Sequence, residues 1–215
     1  DPGDHEGGRG LGGGAGVTAG RPLGVGLTPL ETRREVVLHL ATRAEQLGYD
    51  AFFLPEGWGY DAPVLLTEIA LRTSRIRIGT GVVNVWGRSA ATIAMVAATL
   101  DEVSGGRFTL GLGAGSPQLA EGLHDTAFVD PVGRLGAVVR QVRGLLAGER
   151  LAAAEDRGQR TLRLATRPRP ALEIHLAALG PAAVALAGEV ADGWCPFFLP
   201  VSALGERRRR LEAGA

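Results

Sequence analysis

Ala98-Thr99-Leu100-Asp101-Glu102-Val103-Ser104-Gly105-Gly106-Arg107-Phe108 joins the end of one periodic segment to the start of the next. Behind it, Ile93, Val96, Ala97, Leu100 and Val103 keep helical spacing after Ser89, a residue suited to an N-cap. The glycine pair stops that helix, because glycine enters the left-handed conformation without a steric penalty. From Phe108 to Gly115 the chain is short and mostly apolar, which predicts a strand.

The same alternation extends in both directions. Apolar runs lie upstream at Pro22–Leu27, Ala51–Pro55 and Ile76–Val83, and downstream at Glu173–Leu179 and Trp194–Leu199. Thr28-Pro29-Leu30-Glu31 reads as a capping box with proline at N1. The helix it opens places Val36, Val37, Leu40, Ala44 and Leu47 on one face and closes at Gly48. A second helix starts at Asp61 and buries Leu65, Leu66, Ile69 and Ala70. A later one carries Leu135, Val138, Val139, Val142 and Leu146, and another follows Gly180-Pro181 with Val184, Ala187 and Val190. The polar stretch Gly148–Pro170 interrupts the pattern, and within it Thr161–Ala165 predicts a short alternating strand. Arg207–Arg210 falls in a final basic helix.

Strand, helix and strand in succession require parallel pairing through right-handed crossovers. Runs that are apolar throughout predict strands covered on both faces. A doubly wound sheet and a (β/α) barrel both satisfy this, and periodicity does not choose between them. Residues Asp1–Gly20 are dominated by glycine and are expected to form a disordered tail ahead of a domain spanning 21–215.

Composition excludes several kinds of chemistry. The 23 basic residues, all arginine, balance 23 acidic ones, so no basic footprint for nucleic acid is present. Without lysine there is no P-loop and no Schiff base. Cys195 is the only cysteine and the four histidines are scattered, so no metal site is predicted. No apolar run has the length of a membrane span, and a cytoplasmic protein fits best.

In either architecture ligands bind at the carboxyl ends of the parallel strands. Those ends are Pro55-Glu56-Gly57-Trp58, Gly81-Val82-Val83-Asn84, Gly113-Ala114-Gly115-Ser116 and Leu179-Gly180-Pro181. Their small residues would let a flat ligand approach the backbone. Gly111-x-Gly113-x-Gly115 departs from the dinucleotide fingerprint, since Ser116 stands at the third glycine, and close helix–strand packing accounts for it equally well. Gly180-Pro181 leaves the free N–H groups of a helix start facing an anion, although many helices begin this way with no ligand.

The opening stretch Ala98–Phe108, together with Ile76–Asn84 and Leu110-Gly111-Leu112-Gly113, resembles the luciferase-like monooxygenase superfamily. Leu176–Pro181 and Ala187–Gly193 extend the resemblance, while Glu56–Asp61, Ser116-Pro117-Gln118, Glu121-Gly122 and His124 look most like its deazaflavin-dependent branch. The resemblance implies an α/β fold of the (β/α)8 TIM-barrel type, truncated here to about six strand–helix units. It implies a flavin- or deazaflavin-dependent oxidoreductase that transfers a hydride or activates oxygen on a small organic substrate. The cofactor would be the deazaflavin coenzyme F420 or FMN.

The resemblance further implies a non-prolyl cis peptide at Gly81-Val82 behind the cofactor ring, though glycine at 81 is equally explained by a bulge. Asn84, Ala114 and Gly115 join Gly81 and Val82 as cofactor contacts, and Leu179, Gly180, Ala182 and Ala183 hold its phosphate. Related dehydrogenases place an Asp-His pair where this chain has Glu56-Gly57, and some place a glutamate where Ser116 stands. Glu56 and His124 are therefore the catalytic candidates by position only. Trp58, Trp86 and Ser116 are candidates for the substrate wall, although a buried tryptophan is more often packing. The missing pair and the two missing barrel units leave an alternative: a non-catalytic flavin-binding or self-associating remnant. Unpaired edge strands predict a homodimer.

Overall fold

The computed structural model describes residues 22–151, 160–166, 168 and 171–215. The glycine-rich stretch 1–20 lies outside the described residues, as does part of the polar stretch 148–170. The strands are β1 (Gly24–Gly26), β2 (Ala51–Leu54), β3 (Arg77–Thr80), β4 (Val83–Asn84), β5 (Phe108–Gly113), β6 (Glu173–Ala177) and β7 (Gly193–Cys195). They pair in parallel in the order β1-β2-β3-β5-β6-β7, with β4 continuing the line of β3 alongside β5.

The helices are α1 (Arg34–Gln46), α2 (Ala62–Arg72), α3 (Ala90–Val103), the single-turn α4 (Pro117–Ala120), α5 (Pro131–Leu146), α6 (Pro181–Val190) and α7 (Val201–Gly214). Each long helix touches the next in the series α1-α2-α3-α5-α6-α7. A doubly wound sheet would split its helices between two faces. One continuous helical layer over a sheet whose strands run in chain order is the winding of a barrel, here an open part of one.

The register sorts the side chains. Phe52, Leu54, Ile78, Phe108, Leu110, Leu112, Ile174 and Leu176 point toward the helices and are buried. They meet Leu66, Ile69, Ile93, Leu135, Val139 and Val184 in one hydrophobic core, each large side chain contributing roughly 1.5–3 kcal/mol. The inward face differs from the expectation of strands apolar on both sides. It carries Gly79, Thr109, Gly111 and Gly113 together with a polar row, in which Arg77 bonds Glu173 at 2.5 Å and Thr109 at 3.0 Å. Glu173 in turn meets His175 at 3.0 Å. Burial pushes the Cys195 thiol up, which makes it a poor nucleophile on this wall.

Helix starts follow their caps. Asp61 accepts from the Val64 N–H at 3.1 Å and Ser89 from that of Thr92 at 3.1 Å. Gly105 and Gly106 end α3 at φ +66° and +82°. Three sequence expectations are corrected. The box at Thr28–Glu31 does not form, because the Glu31 carboxylate binds Arg33 through its backbone N–H and guanidinium, and α1 starts only at Arg34. Its buried face is Val37, Leu38, Ala41 and Ala44, while Leu40 and Leu47 are exposed. Thr161–Ala165 is irregular, with the Leu151 N–H donating to the Leu162 carbonyl at 2.8 Å and the Arg150 guanidinium to the Thr161 carbonyl.

Glu45 fastens the turn before β3. Its carboxylate accepts from the backbone N–H groups of Ser74, Arg75 and Ile76, the last two at 2.7 and 2.8 Å. Burial works to raise its pKa, but these bonds outweigh it and hold the carboxyl below its ordinary value. A depressed folded pKa stabilises the fold above the unfolded carboxylate value of about 4.3, and that stability is lost as pH falls through the lower folded value. Glu45→Gln is therefore expected to lower stability by about 1–2 kcal/mol near neutral pH. Urea denaturation should show the gap to the parent chain closing toward about pH 3; a gap independent of pH would overturn this account.

Candidate active site at the carboxyl end of the sheet

The line of β3 and β4 carries one residue more than the strand beside it. Gly79 pairs with Thr109 and Val83 with Leu112, so four steps on one side oppose three on the other. The surplus forms a bulge. Within it the Gly81-Val82 peptide is cis. The Gly81 N–H donates to the Leu54 carbonyl at 2.8 Å, and the Val82 carbonyl accepts from the Glu56 N–H at 3.2 Å. Thr80 replaces the broken ladder: its hydroxyl accepts from the Gly111 N–H and donates to the Gly111 carbonyl, both at 2.8 Å. Its role escaped sequence reasoning, because a buried threonine in a strand has no distinguishing pattern.

Glycines keep this floor flat. A Cβ on Gly113 would lie 2.7 Å from the Val82 side chain. Gly81 itself is exposed, Val82 and Ala114 are half-buried, and Gly115 turns the chain outward at φ +64°. At the far side Gly180 starts α6 without a side-chain cap, Pro181 follows, and Leu179, Gly180 and Ala182 are exposed with Ala183 half-buried. The backbone N–H groups of Ala182 and Ala183 thus sit in the first turn of an uncapped helix, where an anion is stabilised.

Beside the floor, a cavity of about 440 Å³ is lined by Glu56, Trp58, Tyr60, Arg88, Leu123 and His124 with the intervening loop backbone. Both catalytic candidates face it. The Glu56 carboxylate bonds the Arg88 guanidinium and also accepts from the Ala62 N–H at 3.2 Å. Arg88 binds Asp61 with its other nitrogen, clamping the loops after β2 and β4 together. Burial works against the Arg88 charge, but hydrogen bonds and the charges of Glu56 and Asp61 prevail, and its pKa lies above the ordinary arginine value. His124 stands over Gly87, and its Nε2 lies 3.2 Å from the Asn84 amide nitrogen.

The substrate candidates separate. Trp58 is 65% exposed at the cavity rim, whereas Trp86 is buried. The Trp86 indole packs 5.2 Å from Phe128 and under the Arg134 guanidinium, and its N–H donates to the Ala114 carbonyl at 2.6 Å. Ser116 caps α4 through a 3.4 Å bond from the Leu119 N–H. Among the described residues no cluster of three or more histidine, cysteine or carboxylate side chains could hold a metal ion, and no helix is long and apolar enough to cross a membrane.

A barrel-type sheet with a main-chain floor and an open helix start is matched at the sequence level by the family model described as luciferase-like monooxygenase, over residues 15–215. The chain belongs to the luciferase-like monooxygenase family. One relative in Mycobacterium tuberculosis, named as a coenzyme F420-dependent oxidoreductase, is 35% identical over 215 residues, covering 93% of this chain and 61% of its own length. Two solved structures share the fold. The coenzyme F420-dependent tetrahydromethanopterin reductase of Methanopyrus kandleri superposes with TM-score 0.79 at 24% identity, over 90% of this chain and 60% of that one. The oxygenating constituent of 3,6-diketocamphane monooxygenase from Pseudomonas putida, in complex with FMN, superposes with TM-score 0.75 at 16% identity, over 90% and 62%. The chain thus spans about three fifths of the length of these proteins.

Proposed function

We propose that this chain carries the cofactor half of a deazaflavin- or flavin-dependent oxidoreductase acting on a small organic substrate. The observation that carries the reading is the main-chain floor at Gly81-Val82, exposed to solvent beside an α6 start with no capping side chain. Open space above Gly180, where a Cβ would meet nothing within 4 Å, fits a phosphate or similar anion there. When bound, such a cofactor supplies hydride transfer, or in the FMN case activation of oxygen.

In this reading Gly81, Val82, Ala114 and Gly115 support the ring, with Asn84 behind them, and Leu179, Gly180, Ala182 and Ala183 hold the anionic tail. Glu56 and His124 are the catalytic candidates at the substrate cavity, Trp58 forms its outer wall, and Trp86 and Ser116 shape it by fixing the Ala114 turn and α4. A homodimer in the cytoplasm completes the proposal, and the relatives named for coenzyme F420 favour the deazaflavin.

The test is a fluorescence titration of the purified chain with coenzyme F420 and with FMN. Micromolar binding of one is expected, and no binding of either would overturn the reading. Ala182→Asp, at the exposed position of the same turn, supplies the sharper check. A carboxylate in the first helical turn favours α6 itself, but it would repel the bound anion, so affinity should fall by about tenfold with the melting temperature unchanged. An affinity unchanged in this variant would place the anion elsewhere.

A further inference from the structure

We propose that Asn84 fixes His124 as a neutral imidazole protonated on Nδ1, so that the ring offers the cavity a hydrogen-bond donor rather than a base. The inference deepens the proposed function, resting on its reading of the cavity as the substrate site.

The argument starts from the amide. The Asn84 side-chain oxygen accepts from two backbone N–H groups, those of Trp86 at 2.9 Å and Gly87 at 3.0 Å. Two donors require an acceptor between them, so the amide cannot be reversed. Its nitrogen therefore faces Nε2 of His124, 3.2 Å away. An NH2 group can only donate, so Nε2 must offer its lone pair. A proton on Nε2, in the other neutral tautomer or in the imidazolium, would set two donors against each other. The single proton of the ring then resides on Nδ1.

The ring has little freedom to leave this arrangement. Its own backbone is tied by the His124 N–H to the Leu119 carbonyl at 3.1 Å and by the Thr126 hydroxyl to the His124 carbonyl at 3.1 Å. Gly87 lies against it, so close that a Cβ there would fall 2.5 Å from Cε1 and 2.8 Å from Nε2. Asn84 is itself 2% exposed, held in β4 beside β5. The charged groups of the cavity are tied up elsewhere, Glu56 and Asp61 each binding Arg88. Nδ1 makes no hydrogen bond among the described residues and His124 lines the cavity, so in this proposal its N–H meets a carbonyl or hydroxyl oxygen of a ligand. Asn84 is thus a positioning residue acting through His124.

The experiment is nitrogen-15 NMR of the imidazole rings in the full chain, without cofactor or substrate, near neutral pH, with His124→Gln used to assign the signals. Wild type is expected to show a protonated Nδ1 and an unprotonated Nε2. In Asn84→Asp one carboxylate oxygen still serves the two backbone N–H groups and the other becomes an acceptor toward Nε2, so the proton should move to Nε2. A wild-type proton on Nε2, or the same pattern in both proteins, overturns the inference. Should Asn84→Asp fail to fold, Gly87→Ala must push the ring off Asn84 and give averaged nitrogen signals; an unchanged pattern there also overturns it. Because no cofactor is present, the expected tautomer in a chain that binds neither F420 nor FMN would count against the oxidoreductase reading alone.

Discussion

Gly111→Ala is expected to destabilise the chain by about 3 kcal/mol or more, a large part of the roughly 5–15 kcal/mol that holds an ordinary domain together. The methyl carbon would have to sit 2.0 Å from the Thr80 carbonyl oxygen and 3.0 Å from the Val82 side chain. Neither neighbour can yield. Thr80 is fully buried and its hydroxyl binds both backbone groups of Gly111, while Val82 lies in the bulge. Gly26→Ala is the control, since a Cβ there meets nothing within 4 Å. Urea denaturation followed by circular dichroism should show Gly26→Ala near the parent and Gly111→Ala with its midpoint at a much lower urea concentration. A Gly111→Ala protein as stable as the parent would mean that the floor is looser than this packing allows.

Arg107→Ala is expected to cost about 3 kcal/mol, because one guanidinium ties together three segments. It donates to the carbonyls of Ala70 and Thr73 at the end of α2, Ile76 before β3 and Ser104 at the end of α3, at 2.7–3.0 Å, and to the Thr73 hydroxyl at 3.0 Å. Arg107→Lys should recover only a fraction, since an ammonium lacks the planar fork that reaches these oxygens together. Thermal melts of the three proteins check this order. Equal stability of the lysine variant and the parent would reduce the arginine to a surface charge. The family stretch from Ala98 to Phe108 thus ends in a structural clamp, well away from the floor and the cavity.

Much of this was legible because local signals agreed with one another. Asp61, Ser89 and Gly180-Pro181 marked helix starts that the structure keeps, and the apolar periods behind them predicted Leu65, Leu66, Ile69, Ile93, Ala97, Val139 and Val184 in the core. The barrel winding was not legible from periodicity, since the side on which a helix packs leaves no trace in its spacing. At α1 a competing partner decided the outcome: Arg33 captured Glu31, so the helix began later and presented another face. The site was read through its backbone. Gly81, Gly113 and Gly180 announced a floor with few side chains, yet the Asn84–His124 bond spans 40 residues, and the clamp of Glu56 by Arg88 spans 32. Such contacts are properties of the assembled rim, invisible to any window along the chain. Trp86 shows the converse, an aromatic residue near the site that the fold buries as a prop for the Ala114 turn.

The bulge at Gly81-Val82, backed by Gly111 and Gly113, has a consequence for how such a protein can diversify. A surface made of peptide units offers selection almost nothing to adjust, because most replacements there either fail to fit or leave the shape as it was. Novelty must enter around the perimeter, at positions such as Trp58, Tyr60 and Leu123, where side chains are half free and exchange is cheap. One inherited platform can then serve many chemistries while its own sequence stays nearly silent about which.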